Sequence, residues 1–257
     1  MRISPKARQR LLGLAGVAVV LAVWELAARV GWINPLLLGS PTEVAEAAVA
    51  AVSTGSIWPH LWVSFIEFVL GIALSAVIGI TIGLLAGWFR RVNYLVDPWL
   101  TILYSTPSVA LAPIIVIAFG IEVSAKIFVV FLFAVFPIAV NTVAGVQATA
   151  GRYLRVARSF NAPQMIVLRT IILPGALPYV VTGLRVAGGR ALVGIVVAEL
   201  IAGNAGIGYL LSIAGATLKT GQLFLLIIIL GLAGMAYAWL LGKTEERLER
   251  WRPAARG

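Results

Sequence analysis

The chain has no cysteine, a single histidine and only 12% charged residues in a length of 257. Disulfides and thiolate chemistry are excluded, and a metal site would rest on carboxylates and His60 alone. An integral membrane enzyme needs clustered His, Asp, Glu or Cys at reactive spacing, and no such cluster is present. Soluble domains carry about 25% charged and about 45–50% apolar residues. At 61% hydrophobic and a mean hydropathy of +1.01, this chain belongs in a bilayer. Its length suits one all-α polytopic membrane domain, residues 1–257, of about five to seven spans at about 20 apolar residues each.

Acidic residues are also scarce, ten against twenty Lys plus Arg, for a net charge of +10. In a membrane protein that excess marks cytoplasmic loops by the positive-inside rule, so it gives no ground for a nucleic-acid partner. The first apolar run, Leu11 to Trp24, follows Arg2, Lys6, Arg8 and Arg10 as in a signal peptide. No small-residue cleavage site follows, and the run reads as a retained first span. Uncharged runs then extend over 68–89, 98–121, 127–151, 200–218 and 220–242, while 178–199 carries Arg185 and Arg190 within an otherwise apolar stretch. The run from Leu200 to Leu218 is too rich in glycine for a lipid-facing helix and reads as a short or re-entrant outer segment shielded by protein.

Six spans result, at about 11–30, 62–89, 96–120, 124–147, 177–200 and 222–242. With six, Arg90 and Arg91, the arginines of the 148–176 loop and the basic tail (Lys243, Arg247, Arg250, Arg252, Arg256) share the side of the N-terminus. That side, holding both termini, is predicted to be cytoplasmic. The opposite side holds Arg29, Lys126 and Lys219 with Glu43, Glu46 and Glu122. A short outer-surface helix is predicted from Pro41 to Val52, with Thr42 as its N-cap and Glu43 and Glu46 in its first turn.

The second span sets Gly71, Ser75, Gly79, Gly83 and Gly87 four apart, a face for close helix packing either within one subunit or between subunits. In the third, Pro107 and Pro113 predict kinks or unwound turns. Such broken helices border substrate paths, so Ser105, Thr106, Pro107 and Ser108 are candidate path residues. Glu67, Arg185, Arg190 and Glu199 join them as ionisable groups inside spans, each costing several kcal/mol unless it meets water or a partner. Arg185 and Arg190 stand about 140° apart on their helix and cannot share one narrow site. Arg190 either pairs with Glu67 as a buried bridge or serves an anion-attracting cavity.

The loop from Arg152 to Pro174 carries the most information. Asn161 and Gln164 occupy capping-box positions with Pro163 early in the next helix, predicting helix, sharp turn, helix. Leu154, Phe160 and Met165 beside four arginines suit a protein-docking knob better than a headgroup-bound stretch, which needs no capped turn.

At this loop the chain resembles the permease subunits of binding-protein-dependent ABC importers, and among them the sulfonate, taurine and nitrate group. The family's loop motif is Glu-Ala-Ala, three residues, Gly, nine residues, Ile-x-Leu-Pro. Ala157, Ile171, Leu173 and Pro174 match it in place, while Arg155 stands for the acidic residue and Asn161 for the glycine. Further similarities run from Gly39-Ser40-Pro41-Thr42-Glu43-Val44 through Leu173-Pro174-Gly175-Ala176-Leu177-Pro178 to the tail at Leu248-Glu249-Arg250-Trp251-Arg252. The resemblance implies a type I importer fold in the bacterial inner membrane and a two-fold pair of permeases. It also implies docking of the loop (Arg155, Ala157, Arg158, Ser159, Phe160, Asn161, Ala162, Met165, Ile171, Leu173, Pro174) on an ATP-binding subunit in two copies. A periplasmic or lipid-anchored binding protein would deliver a small, anionic solute.

ATP and Mg would reside on the partner, since the chain lacks the Gly-x-x-x-x-Gly-Lys-Ser/Thr phosphate loop and carries no cofactor or metal of its own. Relatives of similar sequence are associated with aromatic acids and thiamine precursors, which stay open as substrates. The remaining alternative, an ion-gradient-driven secondary transporter, would need relays within its spans, where only Glu67 and Glu199 are available.

Overall fold

The computed structural model describes residues 5–32 and 39–249, all of whose regular elements are helical. In chain order they are α1 (Pro5–Arg29), α2 (Pro41–Ser53), α3 (Ile57–Trp88), α4 (Arg90–Ser105), a 3₁₀ turn (Ser108–Leu111), α5 (Ala112–Phe119) and α6 (Val123–Ser159). There follow α7 (Gln164–Val167), a π-helical turn (Leu168–Ile172), α8 (Leu173–Ala202), α9 (Ile207–Ala216) and α10 (Thr220–Glu249). Five stretches are long and apolar enough to cross a bilayer, and α4 with α5 make a sixth that bends by 91°. This reproduces the expected six spans, with α9 as the short helix foreseen within 200–218. The basic tail from Arg250 and residues 1–4 lie outside the described residues.

Close contacts group the chain into two compact units, residues 1–60 with 210–229 and residues 61–209 with 230–257. In the first, Glu25 of α1 accepts bonds from Thr42 N (3.2 Å) and Thr42 Oγ1 (2.6 Å), and Trp24 packs on Phe224 with ring centroids 5.2 Å apart. The N-cap of α2 is therefore not Thr42, whose hydroxyl is taken by Glu25. Ser40 caps instead, in an extended conformation, its hydroxyl accepting from Glu43 N.

The second unit is organised around α6, which carries two helices on close-packed faces. Toward α3, the small-residue stripe makes the contact. A Cβ on Gly71 would overlap Val130, one on Gly79 would lie 2.9 Å from the Val135 carbonyl, and one on Gly83 would overlap Thr142. Ser75 completes the stripe, its hydroxyl donating to Gly71 O (2.7 Å) and reaching Phe131 O (3.1 Å). The stripe is thus an intra-subunit seam rather than a subunit interface, the backbone approach that small residues permit between membrane helices. Toward α8, Val130, Ala134 and Ile138 interlock with Ala187, Ala191 and Ile195, all fully buried.

Pro107 and Pro113, expected to kink the third span twice, act differently. Pro107 lies in the break itself, between α4 and the 3₁₀ turn. Pro113 falls in the first turn of α5, where its missing N–H has no intrahelical acceptor to lose.

Candidate functional site

The knob on the 148–176 loop has the predicted helix–turn–helix form, built by other chemistry than expected. No capping box exists: Pro163 precedes α7 without a side-chain cap, and Gln164 is already helical. The turn is instead made at the end of α6, where Asn161 N donates to Arg158 O (3.0 Å) and Ala162 N to Ala157 O (3.0 Å). Those two bonds are the Schellman pair, and they require the residue between to be left-handed. Asn161 supplies that conformation at φ +51°. Asparagine is, after glycine, the residue that enters this region most easily. The substitution noted in the motif therefore preserves the backbone it serves.

Beyond α7 the chain widens into the π turn and runs on as α8, with Leu173 N donating to Leu168 O. Pro174 explains the widening, which sequence reasoning missed: its ring would clash with the carbonyl four residues back, and it has no N–H to offer. The knob is thereby rooted in two continuous helices. Its interior is apolar, with Ala157, Val167, Ile172 and Ala176 packed on Val146 and the half-buried Ala162 and Ile171 against them.

This divides the predicted docking residues. Ala157 is buried and Leu173 half-buried, so both position the knob from within. Arg155, Arg158, Ser159, Asn161 and Pro174 are exposed, as are Phe160 (81%) and Met165 (57%) at the apex. At its foot a cavity of about 570 Å³ is lined by Arg90, Arg91 and Arg158 together with Gln147 and Gln164.

The predicted path residues separate into three groups. Arg190 reaches the break in the third span, its guanidinium 4.3 Å from the centre of the Tyr104 ring. Tyr104 directly precedes Ser105, Thr106, Pro107 and Ser108 in the chain, of which Ser105 and Pro107 are exposed. Arg185 lies apart, 3.3 Å from Glu245, which also accepts from Thr182 Oγ1 at 2.8 Å.

The third group is a closed cluster near the opposite end of α8. Glu67 pairs with Lys126 Nζ at 2.8 Å, each 1% exposed. Beside them Glu199 accepts from Ser64 Oγ (2.5 Å) and Gly208 N (2.6 Å), while Ser64 Oγ in turn accepts from Ile207 N (2.8 Å). The proposed Arg190–Glu67 bridge is therefore not formed. Lys126 is not an outer-loop residue either. It stands one turn inside α6, and the hint in the sequence was its place at the very edge of a long uncharged run. Glu199 is held as the acceptor at the start of α9, around which Gly206, at φ +113°, leaves no room for a Cβ.

Comparison with known proteins agrees with this architecture. A solved structure described as an amino acid ABC transporter with histidines superposes with a TM-score of 0.62 over 78% of this chain and 97% of that one, at 17% identity. The taurine transport system permease protein TauC of Escherichia coli strain K12 is 32% identical, covering 96% of this chain and 92% of its own. The putative aliphatic sulfonates transport permease protein SsuC of the same strain is 36% identical over 91% and 89%. The bicarbonate transport system permease protein CmpB of Synechococcus elongatus is 32% identical over 94% and 88%. Residues 79–250 match the family described as the binding-protein-dependent transport system inner membrane component. That span holds the knob, the broken helix and α8, and the chain belongs to this family of ABC importer permeases.

Proposed function

We propose that residues 1–257 act as one permease domain that forms, with a second copy of itself, the translocation path for a small solute bearing an oxoanion group. The observation that carries the docking half of this reading is the knob: a capped turn with Phe160 and Met165 exposed at its apex, continuous on both sides with membrane helices. An exposed aromatic on a rigid mount is the kind of anchor that dominates protein–protein binding. Two ATP-binding subunits dock there, and their closure on ATP moves α6 and α8 as levers. That reopens the path outward for solute delivered by a periplasmic or lipid-anchored binding protein. The knob and both termini face the cytoplasm of a bacterial cell, the side on which the arginines gather.

The substrate class rests on relatives named for taurine, aliphatic sulfonates and bicarbonate, each bearing an oxoanion, and on the arginine beside the broken helix. A C-terminally tagged chain solubilised gently from its host tests the reading. A phosphate-loop ATPase should co-purify, and reporter fusions at both termini should register as cytoplasmic. Purification without an ATPase, together with uptake driven by an ion gradient, would establish the secondary transporter instead.

A further inference from the structure

Three charged residues lie along α8, and the structure satisfies two of them. Glu199 is bonded to Ser64 and Gly208, and Arg185 is paired with Glu245. Arg190, about 18 Å from the Ala202 end of the helix and about 26 Å from the Leu173 end, has no carboxylate. Among the described residues its one partner is the neutral Tyr104 ring. A half-buried guanidinium in the middle of a spanning helix is costly unless something compensates it. A ring face at 4.3 Å returns only part of that, and it leaves the five N–H donors of the guanidinium unused.

The surroundings are those of a binding position. Tyr104 is the penultimate residue of α4, one before Ser105 and the 91° break, where the helical ladder stops. Ser105 and Pro107 are exposed at that break, while the Thr106 hydroxyl donates back to Ile102 O at 2.8 Å and closes the end of α4. A stacked guanidinium is held by its face, so its edge is free to offer two parallel N–H groups to a planar or tetrahedral oxoanion.

We infer that Arg190, steadied by Tyr104, is the anion-selecting residue of the translocation path, supplying the counter-charge to a sulfonate, carboxylate or bicarbonate group as it passes the break in the third span. The solute is the missing carboxylate-like partner of Arg190. The ring still holds the guanidinium once the anion has moved on, so the site selects without retaining. This rests on the oxoanion-importer reading proposed above.

The test uses the whole importer, this chain with its co-purified ATPase and binding protein, in proteoliposomes. ATP-dependent uptake of radiolabelled taurine, ethanesulfonate and bicarbonate is followed beside ATP hydrolysis. Arg190→Gln should lower uptake of the transported anion at least about tenfold, the scale of a lost charge-assisted hydrogen bond. Stimulation of ATP hydrolysis by loaded binding protein should persist, so that more ATP is spent per solute, an uncoupling that a purely structural role would not produce. Tyr104→Phe should behave as wild type, because the ring face is retained, and Tyr104→Ala should lose uptake several-fold.

If Arg190→Gln fails to assemble with the ATPase, Arg190→Lys decides: it keeps the charge but not the fork, and unchanged uptake overturns the inference. Wild-type uptake of an anion with an equally active Arg190→Gln overturns it while leaving the oxoanion reading standing. ATP-dependent uptake of none of the three anions by wild type refutes that reading and the inference with it.

Discussion

Truncating Phe160 and burying a charge at Ala157 should both disable the importer, by different routes, and the difference tests the account of the knob. Phe160 is 81% exposed and contributes nothing to the packed interior beneath it. A phenylalanine presents about 150–250 Å². Covering its exposed part in a groove would remove roughly 120–200 Å² from water, up to about 3–5 kcal/mol at about 25 cal/mol per Å². Alanine substitutions at such anchors cost about 2–4 kcal/mol, or roughly 30- to 1,000-fold in Kd. Phe160→Ala should therefore weaken ATPase binding by that factor and leave the thermal unfolding of the isolated permease unchanged.

Ala157 is different, being 7% exposed with Val146, Val167, Ile172 and Ala176 around it. A glutamate there must bury a carboxylate with no cation in that cluster or expel it by unpacking the turn, at several kcal/mol in either case. Ala157→Glu should lose the ATPase and also expose the knob to limited proteolysis near Asn161. Binding is read by titrating fluorescent ATPase subunit onto the permease in nanodiscs, and knob integrity by the proteolytic pattern. Wild-type affinity in Phe160→Ala would refute the apex as the docking surface. A proteolytically intact knob in Ala157→Glu would refute the packing account.

Two further predictions follow from local geometry. Asn161→Gly should leave the knob as stable as wild type or slightly more so, whereas a β-branched Asn161→Val should cost about 1–2 kcal/mol for its positive φ; proteolytic half-lives of the loop compare the three. Lys126→Met leaves Glu67 buried without its cation and should destabilise the chain by about 3–5 kcal/mol, while Lys126→Met combined with Glu67→Leu should recover most of the loss. Unfolding midpoints in detergent measure both, and a double variant no better than the single one would show that the pair is not the coupled unit described.

The sequence by itself determined the helical class, the number of spans, the short helices after residue 40 and within 200–218, and the place of the knob. Each depends on local quantities: runs of uncharged residues as long as a bilayer is thick, basic residues between them, and prolines and glycines at the ends. The residue type at Asn161 was legible too, but its meaning was not. Only the hydrogen bonds that close α6 show a left-handed turn there in place of a capping box.

What tertiary structure alone decided is which side chains meet. Glu67 and Lys126 are 59 positions apart, and nothing local distinguishes that pairing from Glu67 with Arg190. The small-residue stripe of α3 fits another subunit as well as its own α6 until the contacts at Val130 and Thr142 fix the choice. Ala157 matched a docking motif by spacing, yet the fold turns it inward and leaves Phe160 outside. Spacing along a helix gives an angle and a rise. Partners are set by how the helices pack, and that packing left Arg190 beside the broken helix with an aromatic ring where its counter-ion would be.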